Sequence, residues 1–155
     1  MGYVLLIGRK LIVNGGEKVV TVEYVENFED IDKIADKLLT EYDKENEVEY
    51  NLKKFSFIAK ENNKIVGYLT GFSYYAEVTI NNLVVEKEYR GRGIGKKLIN
   101  HVVRCFKDRG FNNINLVTNA FQAPVFYKNC GFTLEFVREN KSNPKLTKYF
   151  FIKYL

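Results

Sequence analysis

The sequence predicts an α/β fold in a single domain, with one mixed sheet carrying helices on both faces. Two patterns lead to that class. Strand-like runs joined by turn signals fill residues 55–85, and helical periods alternate with short strands from residue 94 onward. Where the two regimes meet, the β-branched run Val78–Val85 enters a glycine-rich turn, Arg90-Gly91-Arg92-Gly93-Ile94-Gly95-Lys96, and an amphipathic helix leaves it. A chain of 155 residues is long enough to bury a self-sufficient core.

The elements follow in order. Residues 3–13 and 18–25 alternate toward β on either side of Asn14-Gly15-Gly16, so residues 1–18 are expected to open the domain (1–155) as a hairpin extension. Asn27 is placed to cap a helix whose apolar face is Ile31, Ile34, Ala35, Leu38, Leu39 and Tyr42. Residues 43–54 are charged and aperiodic, which leaves a loop and a short second helix equally open. Phe55–Lys60 and Ile65–Tyr75 form a hairpin turning at Glu61-Asn62-Asn63-Lys64. Gly67 and Gly71 interrupt the second strand, which suits a bulge or the close approach of another backbone. Val78–Val85 continues the meander. The next helix carries Ile94, Leu98, Ile99, Val102, Val103 and Phe106 on one face and stops near Gly110. A strand at Asn113–Thr118, a helix at Ala123–Asn129, a strand at Phe132–Val137 and a closing strand at Lys148–Tyr154 complete the chain.

Composition narrows the function classes. The net charge is +5, yet lysines are interspersed with acids rather than gathered in a stripe, so a nucleic-acid partner is not expected. Two prolines and no low-complexity segment argue against disorder. The apolar stretch in residues 3–7 is too short for a membrane span and lacks the flanks of a secretory signal, so no membrane partner and a cytoplasmic location are expected. Cys105 and Cys130 lie far apart without C-x-x-C spacing, and His101 is the single histidine, so neither a thiol nucleophile nor a metal site is expected.

The glycine turn carries the chemistry. Glycine at three alternate positions lets the backbone turn tightly and meet a ligand with no Cβ between them. The first amides of the following helix lack internal partners and lie at its positive end, which suits a phosphate. Lys96 and Lys97 disfavour the helix start unless an anion offsets them. The spacing fails the P-loop, because Lys97 follows Gly95-Lys96, and fails G-x-G-x-x-G, because Gly91, Gly93 and Gly95 recur at every second position. Instead, Arg90-x-x-Gly93-x-Gly95 with Val85 five residues upstream resembles the acetyl-coenzyme A loop of the GNAT N-acetyltransferases. A second stretch, Ala123-x-x-x-Tyr127-x-x-x-Gly131-Phe132, resembles that family's A-x-x-x-Y-x-x-x-G-F signature, in the family's order and separation. Thr118-x-x-Phe121-Gln122-Ala123-x-x-Phe126-Tyr127 is similar to a set of small bacterial members without an assigned acceptor.

The resemblance implies a mostly antiparallel mixed sheet of about six to seven strands and transfer of an acetyl group from acetyl-CoA to a primary amine. It implies that Arg90, Gly91, Arg92, Gly93, Ile94, Gly95 and Lys96 cradle the pyrophosphate. It implies that Leu83, Val84 and Val85 lie on a strand that splays from its neighbour and polarises the thioester carbonyl. Phe126 and Tyr127 would contact the coenzyme, and Tyr127 would protonate the departing thiolate. Family members often carry an asparagine three residues before Ala123, where this chain has Ala120; Asn119 or Gln122 stands in for it, or backbone groups suffice. Relatives often carry a glutamate as base on the strand before the loop. Here Asn81 and Asn82 occupy those positions, leaving Glu77 as the base candidate. The acceptor class, small amine, antibiotic or protein, stays open, as does a homodimer sharing the closing aromatic strand. A coenzyme-binding regulatory module that has lost catalysis is the alternative, and a basic nucleic-acid-binding domain comes third.

Overall fold

The computed structural model describes residues 22, 24 and 31–155; the expected opening hairpin and the Asn27 cap lie outside the described residues. Helix α1 (Ile31–Glu45) is followed by strands β1 (Lys53–Glu61), β2 (Lys64–Tyr74) and β3 (Glu77–Val85). Helix α2 (Ile94–Phe106), strand β4 (Asn113–Asn119), helix α3 (Pro124–Asn129), strand β5 (Thr133–Arg138) and strand β6 (Lys148–Tyr154) complete the order. The six strands form one sheet in the order β1-β2-β3-β4-β6-β5. Among the described residues only β3 and β4 run parallel; every other pair is antiparallel. β6 thus lies inside the sheet with both edges paired, so the closing strand is not the one a partner copy could extend; among the described strands β1 and β5 are the outermost.

Local chemistry explains the turns. Asn62 and Asn63 take φ of 48° and 65°, the two positive values that a two-residue hairpin of matching twist needs, and asparagine tolerates them. The β2–β3 turn places Tyr75 at φ 50°, a conformation unfavourable for a bulky side chain. Asn51 holds it there from both sides: the Tyr75 N–H donates to Asn51 Oδ1 at 2.6 Å, and Asn51 Nδ2 donates to the Tyr75 carbonyl at 3.0 Å. The Tyr75 hydroxyl donates to Asp43 Oδ1 at 2.6 Å, tying the end of α1 to the hairpin. Burial and that carboxylate hold the Tyr75 phenol far above the usual tyrosine range. Residues 46–52 form no second helix. They fold back on α1, with the Val48 N–H reaching the Asp43 carbonyl at 2.9 Å.

The core lies between the sheet and α2. Leu69, Val78, Ile80, Ile114, Leu116 and Phe151 project from the strands toward Leu98, Ile99 and Val102 of the helix, and Phe132 and Cys130 close the α3 end. Burying a side chain such as Phe151, which is 0% exposed, contributes about 3 kcal/mol. Gly71 is required by close approach. A Cβ there would collide with the Thr79 carbonyl and the Phe55 ring.

A bulge and a parting of strands shape the middle of the sheet. Between Thr70 and Gly71 the β2–β3 register shifts: Thr70 opposes Asn82 while Gly71 opposes Ile80, so Asn81 is an extra residue on β3. Such a bulge bends its strand and sharpens the twist. The bulge begins where the β3–β4 pairing stops, since that parallel ladder joins Glu77–Ile80 to Asn113–Leu116 and goes no further. Beyond it β3 pairs only with β2, and β4 only with β6. The sheet therefore parts into a V between the ends of β3 and β4.

Candidate active site

The glycine turn and the V meet in one cleft of about 440 Å³, lined by Leu83 and Val85 of β3, the turn from Tyr89 to Lys96 apart from Arg92, and Gln122, Ala123, Phe126 and Tyr127. Ten of the residues expected from the motifs line it: Leu83, Val85, Arg90, Gly91, Gly93, Ile94, Gly95, Lys96, Phe126 and Tyr127. The strand-turn-helix order of the sequence puts them there. β3 delivers the chain to the mouth of the V, a short 3-10 turn at Lys87–Tyr89 reverses it, and α2 starts at Ile94.

The three glycines act differently. Gly91 and Gly93 have φ of +77° and +76°, and nothing lies within 4 Å of a Cβ added to either. Their requirement is backbone conformation alone, costing another residue about 1–2 kcal/mol. Gly95 is needed for space, because its Cβ would lie 3.0 Å from Phe126 Cζ. Gly93 is the N-cap of α2 and no side chain caps the helix start; the first turn also holds no acid. Four backbone N–H groups at the start of any helix lack a helical acceptor, and with two lysines beside them they make a positive, donor-rich rim. Arg90 stiffens the turn by donating from Nε to the Val85 carbonyl at 3.1 Å.

Tyr127 lies on α3 at the opposite wall. Its ring packs edge-on against Phe126 at 5.1 Å and Phe132 at 6.1 Å, and tilted against Phe151 at 6.0 Å. Burial, with Cys130 nearby, pushes its phenol above the ordinary value of 10, so the hydroxyl stays protonated at neutral pH. The Cys130 thiol is also pushed up by burial, so it is no thiolate near neutrality. Ala123 precedes α3 at φ 61°, a strained left-handed position for a residue with a Cβ, directly on the cleft wall.

Four expected residues lie elsewhere. Val84 points to the opposite face and is 43% exposed, as the alternation of a strand requires. Arg92 turns outward, 3.8 Å from Glu61 and over the Tyr89 ring at 4.9 Å. Asn119 spends its side chain locally: its Nδ2 and its backbone N–H both donate to Gln122 Oε1 at 3.0 Å. Of that pair Gln122, not Asn119, lines the cleft. Glu77 lies at the closed end of the V, where its carboxylate accepts from Asn113 Nδ2 at 3.0 Å and Asn115 Nδ2 at 3.1 Å. It lines a second cavity, of about 770 Å³, with Thr79, Asn81, Val117, Phe136, Phe150 and others. Tyr89 was missed. Its only sequence signal is an aromatic residue immediately before the arginine of the turn.

Among the described residues there is no group of three or more His, Cys, Asp or Glu side chains able to hold a metal, and no helix long and apolar enough to cross a membrane. His101 packs edge-on against Phe57 at 4.9 Å, a packing role.

Known proteins resemble the chain in sequence and fold. Residues 53–134, more than half the chain, match the family model described as an acetyltransferase (GNAT) domain. The chloroplastic GCN5-related N-acetyltransferase 2 of Arabidopsis thaliana is 35% identical over 74 residues, which is 47% of this chain and 28% of that protein. The match thus spans less than a third of that relative's length. An acetyltransferase from Bacillus cereus is 28% identical in sequence, with a TM-score of 0.69 over 86% of this chain and 98% of that one. A Bacillus anthracis protein solved in complex with acetyl coenzyme A has the same fold at 22% identity, with a TM-score of 0.58 over 66% of this chain and 62% of that one. With the splayed strands, the glycine turn and Tyr127 gathered in one cleft, the chain belongs to the GNAT acetyltransferase family.

Proposed function

We propose that this protein is an N-acetyltransferase that moves the acetyl group of acetyl-CoA directly to a primary amine. The observation that carries the reading is the meeting, in one cleft, of the end of β3 that has left β4, the uncapped start of α2 and Tyr127. The pyrophosphate of the coenzyme sits on the free amides of α2, with Lys96 beside it, and offsets the charge that disfavours this helix start. The pantetheine arm runs into the V past Gln122, whose side-chain Nε2 is free of the Asn119 contact made by its Oε1. The thioester then lies against Leu83–Val85, where a backbone amide released from the β4 ladder donates to the carbonyl oxygen and stabilises the negative charge that develops there.

The amine nitrogen attacks the carbonyl carbon, the C–S bond breaks, and the thiolate takes the proton of Tyr127. The tyrosinate regains a proton from solvent. The amine's own proton leaves on the side of the second cavity. Glu77 is the carboxylate that β3 presents there, but it lies six residues before Leu83, about 20 Å along a strand. Its role is therefore that of a proton sink reached through water rather than a group touching the amine. All these groups come from one chain, so a homodimer is not required for the chemistry. We place the reaction in the cytoplasm, where Cys105 and Cys130 stay reduced.

Calorimetric titration with acetyl-CoA, beside a variant with Gly93 and Gly95 both changed to valine, tests this reading. Saturable binding to the wild type, lost in the folded variant, is expected. No binding to folded wild type would overturn the assignment. Binding without release of free thiol across an amine panel would favour a regulatory coenzyme-binding module instead.

A further inference from the structure

Resting on the acetyl-transfer reading, we infer that the acceptor is zwitterionic: an amine that enters the V while its own carboxylate is held by Arg138 and Lys148. The second cavity lies on the sheet face away from α2, and both cations line it. Arg138 of β5 directly opposes Lys148 of β6 in the antiparallel ladder. Like charges at such a position repel and destabilise the pair of strands. Neither makes an ion pair among the described residues. Both side chains are exposed at the cavity wall, where an anion entering the cavity would relieve their repulsion.

The geometry favours a carboxylate. The Arg138 guanidinium lies 4.9 Å from the Phe150 ring centroid and 5.8 Å from that of Phe136, and those rings stack at 4.0 Å with planes 12° apart. The planar fork is thus oriented before any ligand arrives, and a fork of that shape matches a carboxylate in two parallel hydrogen bonds. Of the two acids that line the cavity, Glu77 is at the closed end of the V, and Glu135 is the extra residue of a bulge on β5, between Leu134 opposite Phe151 and Phe136 opposite Phe150, and pairs with neither cation among the described residues. A polyamine would set a second cation against Arg138 and Lys148.

Spacing limits the acceptor's size. The order β4-β6-β5 puts β5 two strands from the V, about 10 Å at the usual strand separation. An amine at the V and a carboxylate over β5 and β6 are then separated by the span of a diamino acid or a short peptide.

The test compares free-thiol release with matched acceptors: diamino acids and dipeptides with a free carboxylate, the same compounds as carboxamides, and spermidine. Wild type and the double variant Arg138→Gln, Lys148→Gln are each first titrated with acetyl-CoA. The expected result is equal acetyl-CoA affinity in both proteins and a wild-type preference for the free acids of at least about tenfold in kcat/KM, carried by KM. That preference disappears in the double variant. Acetyl-CoA binding with equal or better use of carboxamides or spermidine, with no acid turned over, or with the preference surviving in the variant would overturn the inference alone. Failure of the wild type to bind acetyl-CoA would overturn the acetyl-transfer reading, and this inference with it.

Discussion

The Tyr127 hydroxyl has one proton to give, and its surroundings keep that proton in place. Burial raises its pKa above the ordinary 10, so the folded state favours the neutral phenol. The sign follows: this contribution to stability is fully present below about pH 10 and is lost as the pH rises through the raised folded value. On the proposed role of Tyr127 as the acid, a wild-type kcat profile is expected to show no fall attributable to it between about pH 7 and 10. Tyr127→Phe is expected to lower kcat by about a hundredfold with acetyl-CoA affinity unchanged, as read by thiol release and calorimetry. Unchanged kcat would remove Tyr127 from proton transfer. The residues most legible in the sequence are those whose role is written in backbone terms, such as Gly91 and Gly93 at positive φ. Asn119 was less legible because short polar side chains close local hydrogen bonds, and Gln122 three residues on accepts from it.

At the scale of the element, Asn81 does what no catalytic side chain does, because it sets where the strands part. Gly71 hinted at an irregularity in β2, but the extra residue lies across the ladder on β3, where alternation simply shifts by one. A single sequence does not display cross-strand register, so the bulge was readable only in part. Deleting Asn81 restores regular β2–β3 pairing and removes the local bend. The deletion variant is expected to keep its far-UV dichroism and lose at least about tenfold in kcat, since the amide freed for the thioester returns toward the β4 ladder. Full activity would show that the V does not depend on the bulge. The other elements followed their periods: α2 begins and ends within the expected stretch, and the β1–β2 hairpin turns at the expected asparagines. The segment after α1 had no period to read because its order comes from long-range contacts, the Asn51 grip on Tyr75 among them.

Across the whole molecule, the sheet consists of two halves joined by a parallel seam of four residue pairs. The V opens beyond that seam, with the 440 Å³ cleft on the helix side and the 770 Å³ cavity on the other. The V is therefore a doorway with a separate approach from either side. A coenzyme entering from one side does not bar an acceptor entering from the other, and spent coenzyme can leave without passing the acetylated product. On the acetyl-transfer reading, neither substrate has to displace the other, and the acetyl group is not parked on the protein between visits. Initial-rate lines for the two substrates should accordingly converge rather than run parallel, the traffic pattern of two entrances meeting at one threshold.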